Sequence, residues 1–381
     1  MKVEREFKKN NSQALKGIAI CLMLFHHSFL SVERFMGYSI NFYPLSQDRA
    51  IRIALFFKIC VSIYAFITGY GLMLSYKQIL KKKNLNNIDD SKWVVTRIIK
   101  TFSGYWIIVA LSMIVCQLID SRTQSLFFNG NIIKGIVDIL FNFSGLAYLF
   151  GVDLLNGTWW YMSIALLFII SIPILYRSIQ KYGYLITGLL IITIPRVLSI
   201  RFSSESYTAF IFAVFLGMLC ADKNLIVRMA NLNIFKNTKN KTNSLIKFFL
   251  ETILVIILYK VYQKIPLSRF WEINFGLIPM IIIMYLYNFY LELPIIKNIL
   301  EYLGKHSMNI FLLHTFLRAF YLKDFIMGKG HFLLIFITLL LSSLVLSIIL
   351  EWFKKIIRYQ QFIDYLQSKI NKLYDSKKIG G

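Results

Sequence analysis

Three ionisable side chains lie in the first apolar segment of this 381-residue sequence: Lys16 near its start, and His26 and His27 near its end. On a helix with about 100° per residue, Lys16 and His27 lie within roughly 20° of each other around the axis and about 16 Å apart along it. A cation at one end of a helix face and a titratable imidazole deeper on that face suit an enzyme that binds an anionic donor and moves a proton. An interfacial lysine with a buried structural histidine would give the same pattern, so both interpretations stay open.

A second polar stripe lies late in the sequence. Ser307, His314 and Arg318 are separated by seven and four residues, so all three fall within about 40° on an α-helix. Ionisable groups inside an apolar segment are costly unless they are partnered, which makes His314 and Arg318 candidates for function. A structural role for both residues is an equal alternative.

Two further groups of residues could bind substrates. Arg97 and Lys100 lie one turn apart before the third apolar segment, where they suit the phosphates of a nucleotide-like donor or, as anchors, those of membrane lipids.

Trp159 and Trp160 follow Asp153 at the start of the fourth segment. Aromatic faces beside polar groups can stack on a sugar, although an aromatic belt at a membrane interface explains the tryptophans equally well.

Several common catalytic and metal-binding patterns are absent from the sequence. It has no phosphate loop, no HExxH and no GxSxG. Adjacent histidines point in different directions on a helix, so we expect no metal site at His26 and His27. We also expect no permanently bound cofactor in the protein. The four cysteines all lie in apolar segments without metal-ligand spacing and are interpreted as buried apolar residues: Cys21, Cys60, Cys116 and Cys220.

The composition places these residues in a membrane protein. The chain is 57% hydrophobic and only 16% charged. This fraction of charged residues is too low for a soluble protein of this size, and the hydrophobic fraction is too high for a disordered one. The net charge of +24 would suit a nucleic-acid binder, but the basic residues lie between long apolar runs. We therefore predict a polytopic membrane protein with cationic loops on one side, and no nucleic-acid partner.

The apolar runs predict an all-α membrane helix bundle. Because a spanning helix needs about 20 apolar residues, we predict about ten transmembrane helices. They are 14–32, 53–76, 102–119, 159–176, 184–200, 207–221, 247–263, 273–291, 307–323 and 332–353.

The distribution of charge predicts the orientation of these helices. With ten spans and a cytoplasmic N-terminus, the cytoplasmic segments hold 29 of the 43 Lys and Arg residues. A weaker eleventh run, 132–150, would break this positive-inside bias if it crossed, so we predict that it is re-entrant or interfacial. Both termini are then cytoplasmic in a cell membrane. Residues 356–374 have apolar side chains at helical spacing between lysines, which predicts an amphipathic helix on the inner leaflet. The predicted division is a membrane domain, 1–353, and a basic tail, 354–381.

At these positions the sequence resembles the acyltransferase-3 family, bacterial membrane proteins that acylate cell-surface glycans and lipids. The resemblance rests on short motifs in the right order over residues 12–350, with Lys at position 16 where the family more often has Arg. These motifs are Lys16…His27, Thr68-Gly69-Tyr70, Arg97 with Lys100, Trp159-Trp160-Tyr161-Met162, Gly304…Ser307 and Leu313-His314.

The resemblance implies that an acyl group, most often acetyl, passes from cytoplasmic acyl-CoA to a hydroxyl of an extracytoplasmic glycan or glycolipid. We expect Lys16, Arg97 and Lys100 to bind the anionic donor. His27 is then the general base or a transient acyl carrier, with His26 beside it. His314 is expected to stabilise the oxyanion together with Arg318, which we also assign to acceptor binding. The remaining expected contacts to the sugar are Asp153, Trp159 and Trp160.

Two other classes of protein remain open from the sequence. In a polysaccharide exporter or flippase, the polar stripes would line a conduit and nothing would be acylated. A membrane sensor or scaffold fits less well, because we find no soluble output domain in the sequence. The expected partners are acyl-CoA, a cell-surface glycan or lipid-linked sugar, and membrane lipids; the sequence leaves the acceptor, the acyl chain and the oligomeric state open.

Overall fold

The computed structural model describes residues 6–83, 90–233, 240–266, 268–291 and 293–377. Within these ranges the chain forms helices and no strands, which confirms the all-α class. The helices are α1 (Lys9–Phe29), α2 (Gln47–Phe56), α3 (Ile59–Lys83), α4 (Asp90–Asp120), α5 (Arg122–Phe127), α6 (Ile132–Ser144), α7 (Trp160–Val197), α8 (Tyr207–Lys223), α9 (Leu225–Asn231), α10 (Asn240–Lys264), α11 (Ile278–Phe289), α12 (Pro294–Thr315), α13 (Lys323–Met327), α14 (Phe332–Ile356) and α15 (Tyr359–Lys377). Two π-helical segments, Ile273–Leu277 and Phe316–Tyr321, lie before α11 and after α12.

Most of each predicted apolar run falls on helical backbone, but the number of ten spans is not confirmed. Among the described residues, four helices are long and apolar enough to cross a membrane: Gln47–Lys81, Asp90–Asp120, Gly157–Val197 and Phe332–Ile356. A fifth span results if α8 and α9, which are bent by 66°, are counted together. The other predicted runs lie on helices that also contain charged residues, or they are too short to meet this criterion. The apolar stretch Ile273–Phe289 is of the short kind.

Gly183 divides α7 at the boundary between two predicted spans. Its backbone angles, φ 77° and ψ 173°, are not helical and belong to a region that essentially only glycine adopts. The apolar residues 159–176 and 184–200 therefore lie on two separate helical pieces, as the sequence pattern predicts.

Helix α6 is shorter than the run from which it was predicted. Asn131 caps its N-terminus: the side-chain oxygen accepts hydrogen bonds from the backbone N–H groups of Ile133 (2.8 Å) and Lys134 (3.3 Å). The helix ends at Gly145, whose φ is 75°. Its 13 residues extend over about 20 Å, less than the roughly 30 Å of a hydrocarbon core. This length fits a re-entrant or interfacial helix, which stays a prediction.

The predicted tail helix is present as α15. The Tyr359 hydroxyl joins it to α4 by donating a hydrogen bond to the Ser103 carbonyl at 2.8 Å. Burial raises the pKa of the Tyr359 phenol, so it remains a protonated donor at neutral pH. Ile363 is buried, whereas Phe362, Tyr365 and Leu373 are exposed, so several apolar side chains of this helix lie at the surface.

The chain divides into two compact units. Unit 1 contains Met1–Lys77, Ile174–Ser307 and Asp324–Leu340, and unit 2 contains Gln78–Pro173, Met308–Lys323 and Leu341–Gly381. The predicted boundary at residue 353 between a membrane domain and a tail stays a prediction.

Glycines allow two close helix crossings in unit 1. A Cβ atom on Gly17 of α1 would lie 2.0 Å from the Leu300 carbonyl oxygen of α12, and one on Gly304 would lie 1.8 Å from the Gln13 carbonyl oxygen. Similarly, Gly69 of α3 lies against the backbone of Val214, and Gly217 of α8 against that of Phe66. Such crossings of small residues are common between membrane helices because they let backbones approach closely.

The core of unit 2 is aromatic and aliphatic. Its buried residues come from α4, the start of α7, the end of α12 and α14, and include Phe102, Tyr105, Trp159, Phe316 and Leu350. A polar network also joins α12 to α14: the Asn309 amide donates to Ser347 Oγ at 3.0 Å and to Glu351 Oε1 at 2.8 Å.

Long rows of exposed apolar side chains mark the outer faces of several helices. On α14, Leu341, Val345 and Ile349 are each more than half exposed. Comparable rows lie on the second half of α7 and on α10. Exposed apolar surface of this extent suits contact with lipid and not with water.

Candidate functional site

His26 and His27 lie next to each other in unit 1, but they occupy different environments. His26 is buried, and its Nδ1 lies 2.7 Å from the Ala54 carbonyl oxygen of α2. Because a carbonyl only accepts, Nδ1 must carry the proton, which fixes both the tautomer and the ring. His27 is half-buried, and its ring centroid is 5.1 Å from that of His26. His26 therefore helps to dock α1 on α2, and His27 is the more accessible imidazole.

Lys16 and His27 lie on one uninterrupted helix, as the sequence predicts. Helix α1 is continuous from Lys9 to Phe29, so the two residues are about 16 Å apart along its axis. Lys16 is half-buried, and its backbone carbonyl accepts a hydrogen bond from the Tyr64 hydroxyl at 3.2 Å. The neighbouring Gly17 contacts the backbone of α12, so packing on two sides fixes the position of this helix.

His314 is completely buried in unit 2 and belongs to a chain of polar contacts. Its Nδ1 donates to the Phe311 carbonyl at 2.8 Å, which leaves Nε2 as an acceptor. The Thr315 hydroxyl lies 3.2 Å from that Nε2. Thr315 Oγ1 is in turn 3.5 Å from the Thr158 hydroxyl, which donates to the Asn156 side chain at 2.8 Å.

The register of Arg318 differs from the prediction. The α-helical geometry ends at Thr315, and Arg318 lies in the π-helical segment Phe316–Tyr321. A π-helix has more residues per turn than an α-helix, so the angle between His314 and Arg318 around the helix axis differs from the value calculated for α-helical spacing. The residue is nevertheless buried in unit 2, with 3% of its surface exposed.

Trp159 does not offer a face to a sugar in this structure. It is completely buried between Tyr105 and Phe316, with ring centroids 5.4 and 6.0 Å away. Its indole N–H donates to the Leu312 carbonyl at 3.0 Å, an oxygen that also accepts from the Asn156 amide at 3.1 Å. Trp159 thus positions the segment before His314, which is a structural role that the sequence did not predict.

Asp153 and Trp160 lie in the segment that leads into α7. Asp153 is exposed, and its backbone carbonyl accepts a hydrogen bond from the buried Asn142 amide at 2.9 Å. Trp160 is 8% exposed and contacts Tyr148, with ring centroids 6.2 Å apart. Of the three residues expected to hold a sugar, Asp153 is the one with an exposed side chain.

Arg97 and Lys100 lie on α4 in unit 2. Lys100 is exposed, whereas Arg97 is half-buried with its guanidinium carbon 5.9 Å from the centroid of the Trp93 ring. The Tyr359 contact to Ser103 joins the start of α15 to α4 one turn away from Lys100. This places a basic helix near the same stretch of α4.

The described residues contain no group of three or more His, Cys, Asp or Glu side chains that could hold a metal ion. Cys60, Cys116 and Cys220 are buried, and Cys21 is half-buried. The sequence did not single out Thr315 and gave Asn156 and Thr158 no role of their own. Their buried polar contacts to His314 and Leu312 depend on tertiary packing and have no local signature.

The comparison with protein families supports one of the classes that the sequence left open. The sequence profile of the acyltransferase-3 family, described as an acyltransferase domain, matches residues 10–352. The chain belongs to the acyltransferase-3 family. The match covers nearly the whole chain and includes Lys16, both histidines of α1 and His314. Membership of this family, together with the apolar helices, supports a membrane acyltransferase. The searches of curated proteins and of solved structures give no significant match.

Proposed function

We propose that this member of the acyltransferase-3 family is an O-acyltransferase that moves an acyl group, most often acetyl, from cytoplasmic acyl-CoA to a hydroxyl of an extracytoplasmic glycan or glycolipid. The observation that carries the proposal is the family match over residues 10–352, which include Lys16 and His27 on the continuous helix α1. The proposed topology has ten spans, cytoplasmic termini and a re-entrant or interfacial α6.

The anionic donor is assigned to Lys16, Arg97 and Lys100. Their charges suit the phosphates of coenzyme A, and Arg97 offers the flat, forked guanidinium that matches a phosphate. Lys16 is a point charge without that fork, so its contribution is electrostatic attraction.

His27 is assigned as general base. In that role its imidazole takes the proton of the acceptor hydroxyl, the oxygen attacks the thioester carbon, and the carbon–sulfur bond breaks. The CoA thiolate then takes up a proton. If His27 is instead an acyl carrier, the ring nitrogen attacks the thioester first and the acceptor hydroxyl attacks the acyl-imidazole second. The His26 ring donates a hydrogen bond to the Ala54 carbonyl, so we assign His26 the role of positioning the neighbouring His27.

Arg318 is assigned to the negative charge that develops on the thioester oxygen. His314 has its Nδ1 proton committed to Phe311, so we assign His314 and Thr315 to holding this segment in place. Asp153 and Trp160 are assigned to the acceptor sugar, and the burial of Trp159 removes it from this group.

Replacement of the two histidines tests the proposal. We expect His27→Ala and His27→Gln to abolish glycan O-acylation in a host that lacks the native gene, as measured by NMR of the isolated polysaccharide. His26→Ala should retain part of the activity, because its contact to Ala54 positions α1 without touching substrate. Normal O-acylation in both His27 variants at equal protein level would refute the mechanism.

A biochemical assay separates the acyltransferase from an exporter or flippase. The purified protein should release CoA from acyl-CoA when acceptor is present, and His27→Gln should not. An exporter would release no CoA under any of these conditions.

A further inference from the structure

Unit 2 contains an apolar cavity that the proposed mechanism does not use. Its volume is about 320 Å³, within the roughly 300–1,000 Å³ range of ligand sites. The walls come from α4, from the end of α12 with the π-helical segment, and from α14. The lining residues are Ile108, Leu111, Ser112, Val115, Cys116, Leu313, Phe316, Leu317, Tyr321, Leu346, Ile349, Leu350, Trp352 and Phe353.

The shape of the cavity suits one hydrocarbon chain. Along α4 it extends from Ile108 to Cys116, which is about 12 Å at 1.5 Å per residue. One chain occupies roughly 15 Å, half of the hydrocarbon thickness of a bilayer. Water is a poor occupant, because it needs two to four polar partners close together and ten of the fourteen lining side chains contain only carbon; the others are Ser112, Cys116, Tyr321 and Trp352.

The mouth of the cavity faces the surroundings of the protein. Val115 on α4 is 44% exposed, and Ile349 and Trp352 on α14 are 54% and 64% exposed. These side chains continue the exposed apolar rows of the two helices. A chain can therefore enter from the bilayer without leaving an apolar environment.

One end of the cavity carries charge. The Tyr321 ring lines the cavity, and its hydroxyl donates to Asp120 Oδ2 at 3.3 Å. Arg122 pairs with the same carboxylate through Nη2 at 2.9 Å, and its guanidinium carbon is 5.8 Å from the centroid of the Tyr321 ring. Arg122 Nη1 is buried and has no hydrogen-bond partner among the described residues.

We propose that this cavity binds one acyl chain of an anionic phospholipid, with the phosphate of the head group at Arg122. The hydrocarbon fills the apolar walls, and the Arg122 guanidinium, whose side chain is 24% exposed, donates to a phosphate oxygen. The site concerns lipid binding and goes beyond the acyl transfer proposed above. Bound lipid would pack against Phe316 and Leu317, which lie between His314 and Arg318 in the sequence.

Photolabelling tests the cavity. The full-length protein is reconstituted in vesicles that contain phosphatidylglycerol with a diazirine in one acyl chain, and the labelled peptides are identified by mass spectrometry. We expect saturable labelling of α4 and α14 around Val115 and Ile349. Val115→Trp fills the mouth and should reduce this labelling severalfold, whereas Ile114→Trp should not, because Ile114 is 56% exposed but does not line the cavity.

The head group is tested with a second probe. The protein should capture a diacylglycerol with the same labelled chains less well than phosphatidylglycerol. Arg122→Gln should reduce this preference for phosphatidylglycerol by about fivefold, because one cation near an anionic lipid surface contributes about 1 kcal/mol to binding. Arg122→Lys keeps the charge and should keep most of the preference. Equal labelling of Val115→Trp and Ile114→Trp, or equal capture of both probes by the native protein, would overturn the proposal. Neither readout depends on acyl transfer, so loss of the proposed function leaves this result interpretable.

Discussion

Two of the three candidate histidines have a ring nitrogen bound to a backbone carbonyl. His26 Nδ1 donates to the Ala54 carbonyl and His314 Nδ1 donates to the Phe311 carbonyl, so both rings are fixed by the backbone. His27 is half-buried, and its role as the imidazole that meets substrate stays a proposal. His314 is held in a polar chain that continues through Thr315 to Thr158 and Asn156.

The Thr315 hydroxyl provides a test of that chain. Thr315→Val removes the group 3.2 Å from His314 Nε2 while keeping the shape of the side chain. We expect acyl transfer to fall by about fivefold, since a single hydrogen bond is worth about 1 kcal/mol. The loss should appear in kcat and not in the KM for acyl-CoA. Thr315→Ser retains the hydroxyl and serves as the control; an equal loss in both variants would show that the methyl group matters and the hydrogen bond does not.

Trp159 is expected to contribute to stability and not to sugar binding. Trp159→Phe removes the indole N–H that donates to Leu312 and leaves a small void in the core, at a cost of about 1–2 kcal/mol in unfolding free energy. Thermal unfolding in detergent measures this loss, with Trp352→Phe at an exposed position as the control. A raised KM for the acceptor at unchanged thermal stability would restore the sugar-stacking role.

At the scale of helices, glycine contacts determine how unit 1 is packed. The Gly69 and Gly217 pair brings α3 and α8 to backbone contact, and the Gly17 and Gly304 pair does the same for α1 and α12. Two of these glycines lie in the motifs by which the sequence resembles the family, Thr68-Gly69-Tyr70 and Gly304…Ser307. Their role is therefore close packing, and Gly17 and Gly304 also fix the helix that carries Lys16 and His27.

A pair of substitutions on α3 tests this packing. In Gly69→Ala the new methyl group would lie 2.0 Å from the Val214 carbonyl oxygen, so the helices must separate. We expect a loss of about 1–3 kcal/mol in stability, the usual cost of overpacking. Gly71→Ala adds the same methyl group where nothing lies within 4 Å, and it should leave the thermal unfolding midpoint unchanged or raise it. Similar destabilisation by both substitutions would contradict the close crossing.

At the scale of the whole molecule, charge and helix length bear on how the chain crosses the bilayer. Helix α6 has 13 residues, and its exposed apolar side chains include Ile132, Ile133 and Leu140. Such a helix can lie in the interface or enter only part of the bilayer. The orientation of every later segment depends on whether α6 crosses.

Cysteine labelling tests the topology. Gly130→Cys and Asp153→Cys lie before and after α6, and both are introduced into a variant without the four native cysteines. If α6 does not cross, an impermeant maleimide added outside intact cells should label both positions. A cysteine at Lys369 in α15 should be labelled only after the membrane is opened. Labelling of only one of the two positions that flank α6 would show that this helix crosses.

The sequence alone determined that the molecule is all-α and where most of its helices lie. Runs of apolar residues are a local feature of a chain that contacts lipid, so they can be recognised without the tertiary structure. The sequence also determined that Lys16 and His27 share one helix face, since eleven residues of regular helix fix that geometry. Only the tertiary structure decided which histidine is fixed by a backbone carbonyl, because Ala54 is distant in sequence from His26. The burial of Trp159, the π-helical register of Arg318 and the cavity beside Tyr321 depend likewise on packing between helices, which no local pattern encodes.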